Sequence, residues 1–144
     1  MELVKLLRSN ELFAGLTEEQ FSKLAMIFEE RTYNSGESVF SQGDKGDRLY
    51  LVREGFVEVV AETASADKAL VQLGPGQSVG EIALIDQGAR SASVRAITAG
   101  AIIASVGRAA FEQLCESDTA IGYRVMRNIA ADLSFKLRHQ TLKK

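Results

Sequence analysis

Short β-prone segments separated by turn residues fill the middle of the chain, from Arg31 to Val106. The turns include Asn34-Ser35-Gly36, Gly43-Asp44-Lys45-Gly46 and Gly74-Pro75-Gly76. Glycine accepts a positive φ, and Asn and Asp side chains hydrogen-bond to the nearby backbone, so these residues favour tight reversals. Many short strands with regularly spaced turns are typical of a sandwich or barrel. We predict a mainly β fold with flanking α-helices, in which the strands form a double-stranded β-helix, or jelly roll.

Helical signals lie on both sides of this region. Thr17 and Gln20 form a capping-box pattern, and apolar residues follow at helical spacing, so residues 1–30 are predicted to be an N-terminal helical segment. Residues 107–144 are predicted to form two C-terminal helices.

The last helix carries an apolar stripe formed by Ile121, Val125, Ile129, Leu133 and Leu137. The stripe is predicted to pack against the β-region. The alternative is a dimer seam, because Met126, Ala130, Leu133 and Leu137 follow heptad-like steps. We therefore expect a monomer or a weak homodimer through this helix.

The composition of the 144-residue chain restricts the classes of function. A formal charge of −2 provides no basic surface, so direct DNA binding is not expected. A single cysteine, Cys115, excludes an internal disulfide. No apolar run has the length of a signal peptide or a membrane span, so we predict a cytoplasmic protein without a membrane partner.

The stretch from Gly80 to Ser93 combines one arginine and two acids with mainly small and apolar residues. The run 82–85 is too short for an independent helix, but it can form one helical turn whose first N–H groups are available for an anion. Arg90 adds a fork of donors that fits two phosphate oxygens, and the Glu81 carboxylate can accept hydrogen bonds from sugar hydroxyls. This combination predicts a sugar-phosphate site. The alternative is a surface salt bridge, which would stabilise the fold little.

Two motifs resemble those of a known family. Gly-Glu-Ile-Ala-Leu-Ile at 80–85, followed four residues later by Arg-Ser-Ala at 90–92, is similar to the phosphate-binding cassette of cyclic nucleotide-binding domains. Residues 42–57 resemble the glycine-punctuated strand pair of the same family. The resemblance is to domains of the cAMP receptor protein and protein kinase A regulatory subunit type, and it covers nearly the whole chain. It implies one cyclic nucleotide-binding domain over residues 1–144, with a β-roll at 31–106 that carries the cassette at 80–93.

The resemblance also assigns roles to the cassette residues. Glu81 would accept a hydrogen bond from the ribose 2′-hydroxyl, and Arg90 would pair with the exocyclic phosphate oxygens. The backbone N–H groups of Ala83 and of Ser91 or Ala92 would complete the phosphate cradle. The predicted ligand-binding residues are Gly80, Glu81, Ile82, Ala83, Arg90, Ser91 and Ala92.

The base of the nucleotide is implied to lie under the C-terminal helix. The candidate base contacts are Val79, Asp132, Phe135 and Lys136, with Phe135 either a stacking lid or a core aromatic. Ser91 resembles the residue at this position both in cGMP-preferring members and in some bacterial cAMP-binding regulators. The motif therefore leaves cAMP and cGMP open, and we predict cAMP.

The predicted function is a sensor, without catalytic residues, a metal or a cofactor other than the ligand. A cupin-type metalloenzyme can share the jelly roll, but it requires clustered metal ligands, and the only histidine is His139 in the last helix. A non-binding interaction module is a third possibility. Family members of that kind usually lack the cassette glutamate or arginine, whereas Glu81 and Arg90 are both present.

The expected mechanism is an allosteric switch. Phosphate capture would tighten residues 80–90 and draw the helices between Phe111 and Leu137 over the base. In bacterial transcription regulators of the family a helix-turn-helix domain follows this helix, whereas here the chain ends at Lys144. We expect either a fragment of a longer receptor or a stand-alone sensor that acts on a separate effector protein.

Overall fold

Two four-stranded sheets form the centre of the molecule, with helices before and after them. The computed structural model describes residues 2–86 and 88–142. Met1, Gln87, Lys143 and Lys144 belong to the predicted segments but lie outside the described residues. The mainly β roll with flanking helices confirms the predicted fold class.

The helices and strands have the following bounds. The first part of the chain contains α1 (Leu3–Ser9), a 3-10 turn (Glu11–Phe13) and α2 (Glu18–Met26). The strands are β1 (Glu29–Tyr33), β2 (Ser38–Phe40), β3 (Arg48–Glu54), β4 (Val57–Glu62), β5 (Asp67–Leu73), β6 (Ser78–Val79), β7 (Ser93–Ala96) and β8 (Ala101–Gly107). A second 3-10 turn (Glu81–Leu84) lies between β6 and β7, and α3 (Arg108–Ser117) and α4 (Thr119–Leu142) follow β8.

The predicted capping box at the start of α2 is confirmed. The Gln20 backbone N–H donates to Thr17 Oγ1 at 3.2 Å, and the Thr17 N–H donates to Gln20 Oε1 at 2.8 Å. The predicted helical segment to residue 30 is too long, because α2 ends at Met26 and β1 begins at Glu29. Glu29 and Glu30 pair with residues of β8 in an antiparallel ladder, so long-range strand pairing overrides the helical tendency of two glutamates.

The order of the strands is β1-β8-β3-β6 in the first sheet and β2-β7-β4-β5 in the second. Strand β8 is central in the first sheet, and most of its side chains are buried, which fits its run of small and branched apolar residues. One core cluster lies between the two sheets and contains Tyr33, Val52, Val57 and Ile103. A larger one joins the first sheet to the helices and contains Phe13, Phe111 and Ile121.

Helix α4 is buried along its first half and exposed along its second. Ile121, Val125 and Ile129 are at most 1% exposed, whereas Leu137 is 64% exposed. The predicted packing of the apolar stripe against the body of the domain is therefore confirmed as far as Leu133, which is partly buried against the same core cluster. The dimer seam stays a prediction.

Candidate functional site

The cassette begins with a glycine that has a left-handed backbone. Gly80 has φ +92°, and a Cβ at this position would lie 2.7 Å from Arg90 Nη1 and 3.0 Å from the Arg48 carbonyl oxygen. Only a residue without a side chain fits both the φ and the space. The 3-10 turn Glu81–Leu84 follows directly, with Ala83 and Leu84 buried.

Backbone hydrogen bonds join the cassette to the loop after β2. The Arg90 N–H donates to the Asp44 carbonyl at 2.7 Å, and the Gly43 N–H donates to the Arg90 carbonyl at 2.9 Å. The Gly46 N–H donates to the Gly88 carbonyl, also at 2.9 Å. This pairing fixes the backbone from which the Arg90 side chain projects.

A cavity of about 380 Å³ lies beside the cassette. All of the predicted site residues that precede α3 line this cavity, namely Val79, Gly80, Glu81, Ile82, Ala83, Arg90, Ser91 and Ala92. Residues that the sequence analysis did not select complete the wall, namely Phe40, Gly46, Val59, Asp86, Gly88, Ala89 and Val94. The acid and the arginine thus line one common cavity, as a sugar-phosphate site requires.

The guanidinium of Arg90 is held against the wall of the cavity. Nη2 donates to the Arg48 carbonyl at 2.6 Å, and Cζ lies 4.2 Å from the centre of the Phe40 ring. Nε is buried and has no hydrogen-bond partner among the described residues. Burial lowers the pKa of Arg90, while Tyr50 and Asp47 oppose that effect. A partly buried cation with an unpaired donor is well suited to receive an anion.

The carboxylate of Glu81 contacts the C-terminal helix. Lys136 Nζ lies 2.7 Å from Glu81 Oε1 and 3.0 Å from a carboxylate oxygen of Asp132. The Glu81 side chain is only 16% exposed, so this ion pair is partly shielded from water. Burial lowers the pKa of Lys136, but the two carboxylates outweigh that effect and raise it overall. Lys136 therefore connects the cassette to α4 by charge.

The candidate base contacts in α4 do not line the cavity with Arg90. Phe135 is 53% exposed, and its ring lies 3.9 Å from that of His139, centre to centre. Lys136 and Asp132 meet Glu81 on the side of the cassette that faces α4 and the chain near Ser9. The proposed contacts of these residues with a base stay predictions.

The backbone donors of the predicted phosphate cradle differ in their availability. The Ala83 N–H already donates to the Gly80 carbonyl at 3.0 Å within the 3-10 turn, so it could serve an anion only by sharing or releasing that bond. The N–H groups of Ser91 and Ala92 donate to no other residue in the described part of the chain. These two are the better placed donors of the predicted set.

Within residues 2–86 and 88–142, no cluster of His, Cys, Asp and Glu side chains could hold a metal ion. None of the helices described is long and apolar enough to cross a membrane.

Comparison with known proteins identifies the family. The family model described as "Cyclic nucleotide-binding domain" matches residues 30–118, well over half of the chain. The chain belongs to the cyclic nucleotide-binding domain family. The matched region contains both sheets except for Glu29 at the start of β1, together with the whole cassette and α3.

Relatives and solved structures agree with this assignment. The domain is 38% identical over 92 residues to a "Cyclic AMP receptor protein" of Thermus thermophilus, covering 63% of this chain and 43% of that protein. It is 34% identical over 112 residues to a "cAMP-dependent protein kinase regulatory subunit" of Yarrowia lipolytica, covering 78% of this chain and 28% of that protein. The N-terminal domain of a transcriptional regulator from Streptomyces coelicolor superimposes with a TM-score of 0.87 at 30% identity, covering 94% of each chain. The chain spans less than half the length of these two curated relatives.

Phe40 and Tyr50 are the important residues near the site that the sequence analysis did not select. Both lie in strand segments, where an aromatic residue is ordinarily part of the core. Their proximity to Arg90 depends on the pairing of strands that are distant in sequence. No local sequence pattern could therefore have identified these two residues. The glycine pattern around Gly46 indicates a turn, but nothing local to it indicates the contact with the cassette.

Proposed function

We propose that this domain is a cAMP sensor that holds the ribose and the cyclic phosphate in the cavity beside the cassette. The observation that carries the proposal is that Glu81 and Arg90 line one cavity from two sides of the cassette. Glu81 accepts the ribose 2′-hydroxyl, and Arg90 pairs with the exocyclic phosphate oxygens. Ser91 and Ala92 add backbone N–H groups to the same anion.

The expected energies favour this division of roles. A hydrogen bond to a charged group contributes about 1.5–3 kcal/mol net. Within the described residues, Nη2 of Arg90 donates to the Arg48 carbonyl and the guanidinium also interacts with the Tyr50 side chain, which leaves part of its fork of donors for a ligand. Apolar residues such as Val59 and Val94 line the rest of the cavity and suit the flat face of a nucleobase.

Adenine is the proposed base because the relatives reported above are named for cAMP. A thermal-shift experiment with cAMP, cGMP and linear AMP tests this choice directly. A ligand at 100 times its Kd stabilises the native protein by about 2.7 kcal/mol, which shifts Tm by several degrees for a domain of this size. We expect a clear shift with cAMP, a smaller one with cGMP at equal concentration and none with AMP. A larger shift with cGMP would reverse the base assignment, and no shift with either cyclic nucleotide would refute binding.

The proposed output is a change in the contacts of α4. Lys136 shares the carboxylate that is assigned to the ribose, so a bound ribose hydroxyl competes with Lys136 for the charge of Glu81. A ligand shifts a conformational equilibrium only by binding one state more tightly than the other. Weakening the Lys136–Glu81 contact provides such a difference and frees the second half of α4 to move over the base. Phe135 and Asp132 would then approach the nucleotide.

Hydrogen exchange of α4 with and without cAMP tests the switch. We expect cAMP to change the protection of residues 130–139. In Lys136→Met the ligand-free protein should already lose protection there, and the effect of cAMP should shrink. Arg138→Met is a matched control, since Arg138 is an exposed cation of the same helix without an ion pair among the described residues. Equal protection of α4 in wild type and Lys136→Met, each measured with and without cAMP, would refute the switch.

The receiver of the signal is proposed to be an output domain of a longer protein or a separate effector protein. The coverage of the curated relatives, 43% and 28%, supports this view, because in those proteins the matching region is one part of a longer chain. Full-length transcripts of the source gene would identify which arrangement holds.

A further inference from the structure

The guanidinium of Arg90 lies beside two aromatic rings that come from different sheets. Its Cζ is 4.2 Å from the centre of the Phe40 ring in β2 and 5.6 Å from that of the Tyr50 ring in β3. The two ring centres are 5.4 Å apart at an interplanar angle of 38°. Distances of this size allow the π faces to attract the cation.

Glycines restrict the same guanidinium from other directions. A Cβ on Gly46 would lie 3.3 Å from both Cδ and Cζ of Arg90, and one on Gly80 would lie 2.7 Å from Nη1. The carbonyl of Arg48 accepts from Nη2 at 2.6 Å. The Arg90 side chain is therefore confined on several sides by groups of the protein itself.

We propose that Phe40 and Tyr50 are positioning residues, which hold the Arg90 guanidinium ready before the ligand enters. The inference rests on the proposed function, in which Arg90 pairs with the phosphate. A long side chain that is free before binding must lose its rotamer freedom on binding, and aromatic walls remove that freedom in advance. Neither ring needs to touch the phosphate for this effect.

The expected effect is moderate and specific. Phe40→Leu keeps an apolar side chain but removes the nearer of the two π faces, so Arg90 becomes less restricted before the ligand binds. We expect cAMP to bind about 2- to 12-fold more weakly, the range that corresponds to ordering one long side chain at a factor of ten per 1.4 kcal/mol. Phe40→Tyr retains the ring and should stay within about twofold of wild type.

A double-mutant cycle with Arg90→Ala, measured by calorimetry with cAMP, separates positioning from packing. If Phe40 acts through Arg90, Phe40→Leu weakens binding in the wild-type background and has less than about a twofold effect in the Arg90→Ala background. Equal weakening in both backgrounds would overturn the proposal, because Phe40 would then act on the ligand or on the fold. If Arg90→Ala itself binds cAMP as tightly as wild type, the proposed function fails and this inference fails with it.

A ligand-independent measurement covers the case in which Arg90→Ala binds too weakly to be quantified. The Nε–H of Arg90 is buried and lies near two rings, so its NMR signal should show slow solvent exchange and a ring-current shift. Phe40→Leu should reduce the shift, leaving the contribution of the more distant Tyr50 ring, and should accelerate the exchange. Tyr33→Leu is the control, because Tyr33 belongs to the same core cluster as Phe40 and has no ring contact with Arg90 in the described part of the chain. An Arg90 signal that is unchanged in Phe40→Leu would overturn the proposal.

Discussion

Replacing Gly80 with alanine should damage binding far more than folding. The added Cβ would lie 2.7 Å from Arg90 Nη1, so the nitrogen must move by about 0.7 Å to reach an ordinary 3.4 Å contact. The end of an arginine side chain yields more easily than the backbone, so Arg90 is displaced most, while the Arg48 carbonyl at 3.0 Å must also give by a few tenths of an ångström. The displaced guanidinium no longer meets the phosphate at its intended position.

The magnitudes of the two effects can be separated. A left-handed backbone costs an L-residue roughly 1–2 kcal/mol, and the loss of unfolded-state entropy on replacing glycine offsets about 0.4–1 kcal/mol of it. The free energy of unfolding should therefore fall by about 1 kcal/mol from the backbone alone, which is a shift of roughly 2–4 °C in Tm. Loss of one hydrogen bond to the charged phosphate, about 1.5–3 kcal/mol, weakens cAMP binding by about 10- to 150-fold.

Gly36→Ala is the matched control for this experiment. Gly36 has φ +84°, close to the +92° of Gly80, but a Cβ there would meet no atom within 4 Å. Both variants should lose a similar amount of stability from φ strain in a thermal or urea unfolding experiment. Only Gly80→Ala should lose affinity for cAMP by calorimetry. Wild-type affinity in Gly80→Ala would refute the placement of Arg90 at the phosphate.

Two further predictions concern acidic groups. Glu81→Gln should weaken cAMP binding by about 5- to 12-fold, because a neutral amide is a poorer acceptor for the ribose hydroxyl by about 1–1.5 kcal/mol. The substitution should have little effect on the binding of 2′-deoxy-cAMP, measured by competition. Equal weakening of both ligands would remove Glu81 from the ribose. The hydrogen bond from Lys23, at 3.1 Å, lowers the pKa of Asp118, which also accepts from the Ile121 N–H at the start of α4. Because the folded pKa is below the unfolded one, the contribution of Asp118 to stability is complete above about pH 4 and is lost as the pH falls through the folded value. Asp118→Asn should remove this part of the acid dependence in urea unfolding between about pH 2 and 6, and an unchanged pH profile would contradict the assignment.

The sequence predicts those parts of the molecule that depend on local chemistry. Thr17 and Gln20 form a capping box because both groups lie within one helical turn. The cassette is recognisable because its turn, its acid and its arginine all lie within 80–93. The glycine turns likewise require particular residues, and Gly36, Gly43, Gly76 and Gly80 do have positive φ.

The parts that the sequence does not predict depend on long-range packing. Glu29 and Glu30 favour a helix and stand at the end of the predicted helical segment. Pairing with β8 nevertheless places both residues in a strand. Phe40 and Tyr50 reach Arg90 only because two sheets meet beneath the cassette. Lys136 was selected as a possible base contact, whereas the fold brings it to Glu81, 55 residues earlier in the chain. Side-chain partners at such separations require the folded geometry.

The affinity of Arg90 variants for cAMP tests the central claim most directly. Calorimetry should show that Arg90→Ala weakens binding by roughly 30-fold to several-thousand-fold, because the substitution leaves a desolvated phosphate without its partner, at a cost of at least about 2–5 kcal/mol. Arg90→Lys keeps the charge but lacks the fork of donors, so it should recover only part of this loss. Near wild-type affinity in both variants would contradict the assignment of Arg90 to the cyclic phosphate.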